Sequence, residues 1–211
     1  MIIVGAKGFA KEILQIISVE MGVKDDEIVF FDDVSKDLPE KLFNRFSIIK
    51  TLEDAKVFMK STDDTDFVLG LGNPIYRKQL YNTFVEIGGT PTQLIAKQST
   101  VGDFDVKLGK GTTIMPGARL SNSVSVGIGC LIYYNTVLTH DCVIGDFVEL
   151  SPSANILGRC TIGNNTSIGS GAIILPDVTI GNNVTIGAGT VVLKNIPDNA
   201  TVVGVPGRII K

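Results

Sequence analysis

Among 211 residues there is one histidine, His140. A zinc site built from three imidazoles cannot be drawn from that inventory, so no metal is expected. The three cysteines, Cys130, Cys142 and Cys160, lack the short spacings of a metal knuckle or a redox pair and fit a reducing compartment. No apolar run reaches the roughly 18 residues a membrane-crossing helix needs. The apolar start, Met1 to Val4, has no basic stretch before it and is too short for a secretory signal. With 19 basic and 22 acidic residues the net charge is −3, which gives no electrostatic reason to expect nucleic acid or an anionic membrane as partner, although a local phosphate site is compatible with it. These absences lead to the expectation of a cytoplasmic protein.

What is present is a clock. Stepping by six from Leu108 meets an aliphatic residue fifteen times in succession: Leu108, Ile114, Leu120, Val126, Ile132, Leu138, Ile144, Leu150 and onward to Val192. Aliphatics make up roughly a third of ordinary sequence, so chance does not produce such a series. Two residues before each aliphatic stands a small or β-branched residue, among them all three cysteines, which there act as compact apolar groups. Three residues after, Gly, Asn, Asp and Ser predominate, the residues that tolerate positive φ at turns. Glycine follows the aliphatic at positions 109, 127, 145, 163 and 181, a spacing of 18. Three hexads therefore make one triangular coil, and stacked coils pair as parallel strands about 4.8 Å apart, giving a prism of roughly 24 Å.

Residues 1–95 do not keep this period. "IIVG", "EIVFFDD", "DFVLGLGNP" and "PTQLIA" read as short strands. Between them, "GAKGFAKEILQIISVEMG" reads as a glycine loop and a helix ending near Gly22, Thr51-x-x-Asp54 as a capping pattern, and Asn73-Pro74 as the start of a helix of about 14 residues. Alternating strands and helices predict a small parallel α/β sheet, with ligands beyond the strand carboxyl ends. Gly5, Gly8, Asp32, Asp33 and "GLGN" fall there. The glycine pattern is G-x-x-G rather than the full dinucleotide fingerprint G-x-G-x-x-G, and read alone it is equally a tight turn. Residues 96–211 form the repeat domain, with Val101-Gly102 as a partial first turn displaced by one residue.

The order "IIVGAKGFAKEI", "VFFDD", "LGNPIYRKQLY", "IYYNTVLTHDCVIGDF", "GVPGRII" resembles the bacterial sugar acyltransferases that include sialic acid O-acetyltransferase-like proteins and nucleotide-linked 4-amino-sugar N-acetyltransferases. The resemblance implies a Rossmann-like α/β domain followed by an all-β left-handed parallel β-helix. It also implies acetyl-CoA as cosubstrate, a nucleotide-sugar as acceptor, and a homotrimer with active sites between subunits. Carried over by motif, His140 is the general base and Asp141 its acidic neighbour, Asn135 lies near the reacting centre, and Lys7, Gly8, Phe9, Asp32, Asp33 and Gly72 contact the nucleotide-sugar. The chain departs from the family at Asp141, where Glu is frequent, at Phe9 and Glu149, where His occurs, and at Gly207, where Ala is usual. Glu149 stands where some relatives place a histidine near the thioester.

The repeat puts His140 two residues past Leu138, outward at a corner, where a plain turn residue is equally at home. Eighteen residues on lies Gly158, whose N–H is the expected oxyanion donor. Pro152, Ser170 and Ala188 form one column, the expected wall for the donor's pantetheine arm. Arg208 is either a contact for a CoA phosphate or an ordinary surface arginine. Cys142 falls in the inward column, which disfavours a thiol-ester relay and favours direct transfer. The competing classes are a non-catalytic nucleotide-sugar-binding scaffold and a nicotinamide-dependent reductase.

Overall fold

In the computed structural model, which describes residues 1–211, the chain divides into two units, Met1–Leu94 and Ile95–Lys211. The first is built from β1 (Ile2–Val4), α1 (Gly8–Leu14), β2 (Val29–Phe31), β3 (Lys41–Leu42), β4 (Phe46–Ile49), α2 (Leu52–Thr62), β5 (Asp66–Leu69), α3 (Pro74–Glu86) and β6 (Thr90–Pro91), in the sheet order β3-β4-β2-β1-β5-β6. β1 is central and pairs in parallel with β2 and β5, Ile2 lying opposite Val29 and Phe67. All three strands are buried throughout apart from Asp66, as continuous apolar runs in a parallel sheet require.

The helix starts follow their sequence signals. The Thr51 hydroxyl accepts from the Asp54 N–H at 3.1 Å, and Asn73 accepts from the N–H groups of Ile75 and Tyr76, which satisfies amides that the first helical turn leaves without partners. α1 continues as a π-helical turn, Gln15–Glu20, and the chain leaves it through Gly22 at φ +76°. Two features differ from expectation. An antiparallel hairpin joins β3 to β4 through Phe43 and Asn44, both at positive φ. Phe43 is not a residue that announces such a turn. The anticipated strand "PTQLIA" is two: Thr90–Pro91 pairs with β5, while Leu94–Ile95 is the first strand of the β-helix.

The second unit is a three-faced parallel β-helix. Its faces run through strands at Thr113–Ile114, Leu131–Ile132, Glu149–Leu150 and Ser167–Ile168 (face one), at Arg119–Leu120, Val137–Leu138, Asn155–Ile156 and Ile173–Ile174 (face two), and at Ser125–Val126, Val143–Ile144, Thr161–Ile162 and Thr179–Ile180 (face three). Partners are 18 residues apart, for example Leu120 with Leu138 and Leu138 with Ile156. The aliphatic column and the small column together form one continuous buried core. Val101 pairs with Leu120, a step of 19, so the extra residue of the first turn lies in the segment between Val101 and Leu108. Corner residues at positive φ, such as Ser123, Asn135, Asp141, Ser153 and Asp177, recur where the third column places them.

Candidate active site

His140 and Asp141 occupy the corner between faces two and three. Asp141 has φ +60°, a conformation that Asp accepts more readily than most residues. That bend returns its carboxylate toward the preceding side chain, with Oδ2 2.7 Å from His140 Nδ1. A carboxylate accepts the Nδ1 proton and leaves Nε2 as the basic nitrogen. The imidazole lies against Gly158, one coil above. A Cβ on Gly158 would stand 2.7 Å from His140 Cε1 and 2.8 Å from Nε2. Gly158 is buried as a residue, and its N–H has no acceptor within the chain. Glycine here admits the ring, and its unbonded amide belongs to the same corner.

The same corner continues upward into Arg159 and Asp177. The guanidinium grips the carboxylate through Nε–Oδ1 at 2.6 Å and Nη2–Oδ2 at 2.8 Å. Hydrogen bonding to Arg159 holds the Asp177 carboxyl below the usual carboxylate range, with a smaller contribution from His140. Arg159 has φ +64°, a conformation that costs roughly 1–2 kcal/mol for a side chain that does not bond locally to its own backbone. Beneath the corner, Cys142 is fully buried, and burial pushes its thiol up to about 11. Such a thiol is not a nucleophile near neutrality.

Other residues singled out in the sequence lie elsewhere on the prism. Asn135, Ser170 and Ala188 share the corner between faces one and two, where Asn135 N–H donates to Pro116 O at 3.3 Å. Asn135 is therefore not beside His140 within one chain. Glu149 is on a face-one strand and accepts from the Ser151 hydroxyl at 3.3 Å. Arg208 lies at the C-terminal end, in a two-residue strand antiparallel to Thr201–Val203. There it lines a cleft of about 340 Å³ with Leu193, Lys194 and Pro206. One chain thus holds an imidazole, a carboxylate and an unbonded amide at one corner and the residues of the expected donor wall at another.

The first unit has its own cleft of about 380 Å³ at the carboxyl ends of β1, β2 and β5. Lys7, Asp32 and Asp33 line it; Gly8, Phe9 and Gly72 do not. Asp32 is buried. One of its oxygens accepts from the Val34 and Ser35 N–H groups, and the other from the Ser35 hydroxyl at 3.0 Å. Its carboxylate shapes the loop, and the exposed Asp33 faces the cleft. Gly72 acts through its carbonyl, which accepts from the buried guanidinium of Arg77. Sequence reasoning missed Leu71, Tyr76 and Leu80, which form the apolar wall. Tyr76 and Leu80 are spaced i, i+4 on α3, and that was the available signal.

Comparison with known proteins accounts for both units. Residues 1–84 match the PglD N-terminal domain model, and residues 141–175 and 159–194 match the bacterial transferase hexapeptide (six repeats) model. The GDP-perosamine N-acetyltransferase of Escherichia coli O157:H7 is 30% identical over 160 residues, 74% of this chain and 69% of that protein. The chain belongs to the nucleotide amino-sugar acetyltransferase family. A member of this family, the acetyltransferase domain of PglB from Neisseria gonorrhoeae FA1090 in complex with acetyl coenzyme A, superposes with a TM-score of 0.87 at 28% identity, covering 99% of this chain and 98% of that one. PerB from Caulobacter crescentus, in complex with CoA and GDP-perosamine, gives 0.86 at 25% identity over 100% of this chain and 96% of that one. The β-helix is left-handed, as in these acetyltransferases. The chain spans only 20% of the length of another curated relative, the bifunctional protein GlmU of Trichlorobacter lovleyi, at 34% identity over 95 residues. No helix is long and apolar enough to cross a membrane.

Proposed function

We propose that this chain transfers the acetyl group of acetyl-CoA to the amine of a nucleotide-linked 4-amino-sugar, with UDP as the nucleotide, by direct attack in a ternary complex. The observation that carries the reading is the corner itself: Asp141 bonded to Nδ1 of the only histidine, with the ring lying on a glycine whose amide is free. In this reading the unit of residues 1–95 holds the nucleotide and the unit of residues 96–211 performs the transfer.

The residues act as follows. The acceptor reacts as the neutral amine, its ammonium form having first lost one proton to solvent; Nε2 of His140 takes a second proton from the nitrogen as it attacks, and Asp141 stabilises the resulting imidazolium. The new N–C bond forms at the thioester carbonyl while the Gly158 N–H donates to the oxygen that gains negative charge. The C–S bond then breaks, and the imidazolium returns its proton to the departing thiolate. Charge and protons balance without a covalent enzyme intermediate, in keeping with a buried Cys142. Acetyl-CoA supplies the activated acetyl group. Ser170, Ala188 and Arg208 serve it from a neighbouring copy in a cytoplasmic homotrimer, with Asn135 and Glu149 on the same side. Two features support shared sites. The base and the donor wall occupy different corners of one chain, and relatives bind the donor and a nucleotide-sugar.

The test is CoA release measured across UDP-, GDP- and CMP-linked amino-sugars and their hydroxyl counterparts. Release with a UDP-linked 4-amino-sugar supports the proposal. Preference for a GDP-sugar, the acceptor named for the relatives, corrects the nucleotide. Preference for a hydroxyl acceptor turns the reading to O-acetylation. Binding without CoA release identifies a scaffold.

A further inference from the structure

Arg159 is poorly suited to its backbone. Among β-helix residues at positive φ, all but two are Gly, Asn, Asp or Ser; the two are Phe147 and Arg159. Phe147 is explained by packing, since it is buried with its ring over Gly129. Arg159 is half-exposed and paired with an exposed Asp177, and an exposed ion pair of that kind adds little stability. A strained residue that stability does not explain, one coil above Asp141 and adjacent in sequence to Gly158, points to the site.

We propose that Arg159 and Asp177 are positioning residues that set the charge facing His140, Arg159 cancelling the second carboxylate of the corner and Asp177 keeping the guanidinium off Asp141. The inference rests on the reading of His140 as the base. A base must be unprotonated at working pH, and two uncompensated carboxylates on one corner would hold an imidazole charged. Arg159 stands between the two, on the coil above Asp141 and below Asp177. Both carboxylates attract it. The bidentate grip of Asp177 decides the contest and leaves Asp141 Oδ2 to the imidazole.

Few other charges compete. Below the corner, Asn122 and Ser123 are neutral, and Asp105 pairs with Lys107 at 3.3 Å. Asp103 and Arg119 lie on the lower coils and Lys194 toward the top, all exposed. The strands entering and leaving the corner on the coils of His140, Arg159 and Asp177 carry no charged side chain. Cys142 is buried, and its raised thiol stays protonated.

The experiment compares kcat/KM from pH 5 to 9 for wild type, Arg159→Asn, Asp177→Asn, the double variant and Arg159→Lys, with Tm for each. Asn accepts the left-handed backbone, so Tm of Arg159→Asn stays level or rises. The acid limb of its profile moves up by about 0.3–0.5 pH unit, the size expected for one charge about 10 Å away near a surface. It moves down by a similar amount in Asp177→Asn, returns to the wild-type position in the double variant, and is kept by Arg159→Lys. Limbs that coincide, or that move in one direction in both single variants, overturn the inference. His140→Ala run alongside separates the two failures. If it abolishes activity while the limbs coincide, only the role of the ion pair falls; if it leaves activity intact, the base assignment falls and takes this inference with it.

Discussion

Gly158→Ala offers a narrow test of the geometry, because it adds one methyl and removes nothing. The new carbon would stand 2.7 Å from His140 Cε1 and 2.8 Å from Nε2, whereas unstrained carbon contacts lie at about 3.5–4.0 Å. The ring must retreat by about 1 Å. It can do so cheaply for folding, since His140 is half-exposed and Gly158 does not sit at positive φ. Stability should therefore change little, within about 0.5 kcal/mol, and the loss of backbone freedom in the unfolded chain offsets part of any strain. Catalysis is less forgiving: a displacement of about 1 Å at a reacting group can lower the rate on the order of 100-fold. The amide itself remains, so the loss reports the imidazole rather than the oxyanion donor. The assay is steady-state CoA release, read with a thiol reagent, beside thermal unfolding. A variant with wild-type Tm and kcat within about twofold of wild type would refute the packing of ring on glycine as a condition for activity.

Cys142→Ala should retain most of the wild-type kcat, and Cys142 in the native protein should resist alkylation at pH 8, because its thiol is buried and pushed up to about 11; mass spectrometry after iodoacetamide checks both the site and its protection. Asp32→Ala frees the Val34 and Ser35 amides and the Ser35 hydroxyl, so KM for the nucleotide-sugar should rise about tenfold while KM for acetyl-CoA holds. His140→Ala and Ser170→Phe chains, each inactive alone, should recover activity when refolded together if one site draws on two copies; a mixture as inactive as its parts places the whole site in one chain. Thr51→Ala should lower stability by about 1 kcal/mol through the lost cap and leave kcat unchanged, as measured by denaturant unfolding.

Much of the β-helix was legible because its physics is periodic. Each hexad supplies one inward aliphatic, one small inward residue and one turn residue, so fifteen repetitions over-determine the register. From that register alone, His140 reaches an outward corner with Gly158 above it, as it does in the fold. The caps at Thr51 and Asn73 were legible for the same reason: local hydrogen bonds leave local signatures. The hairpin at Lys41–Ile49 was not, because its turn uses Phe43 where Gly or Asn would have marked it. Arg159 also escaped, since the turn column favours small polar residues and an exception looks like noise until its φ and its partner are seen. Asp32 was seen as a cleft residue, and its commitment to the Ser35 loop is visible only in three dimensions. Asn135 illustrates a different limit: one chain places it at the corner between faces one and two and His140 at the next corner, so a reacting centre drawing on both needs a neighbouring copy.

The role of His140 is decided by CoA release from His140→Ala with an amino-sugar nucleotide that the wild type accepts, measured together with acetyl-CoA affinity by calorimetry. If the imidazole is the base, the rate falls by roughly 10²–10⁴, with donor affinity and Tm unchanged. A His140→Ala enzyme that releases CoA within a few-fold of the wild-type rate would contradict that role.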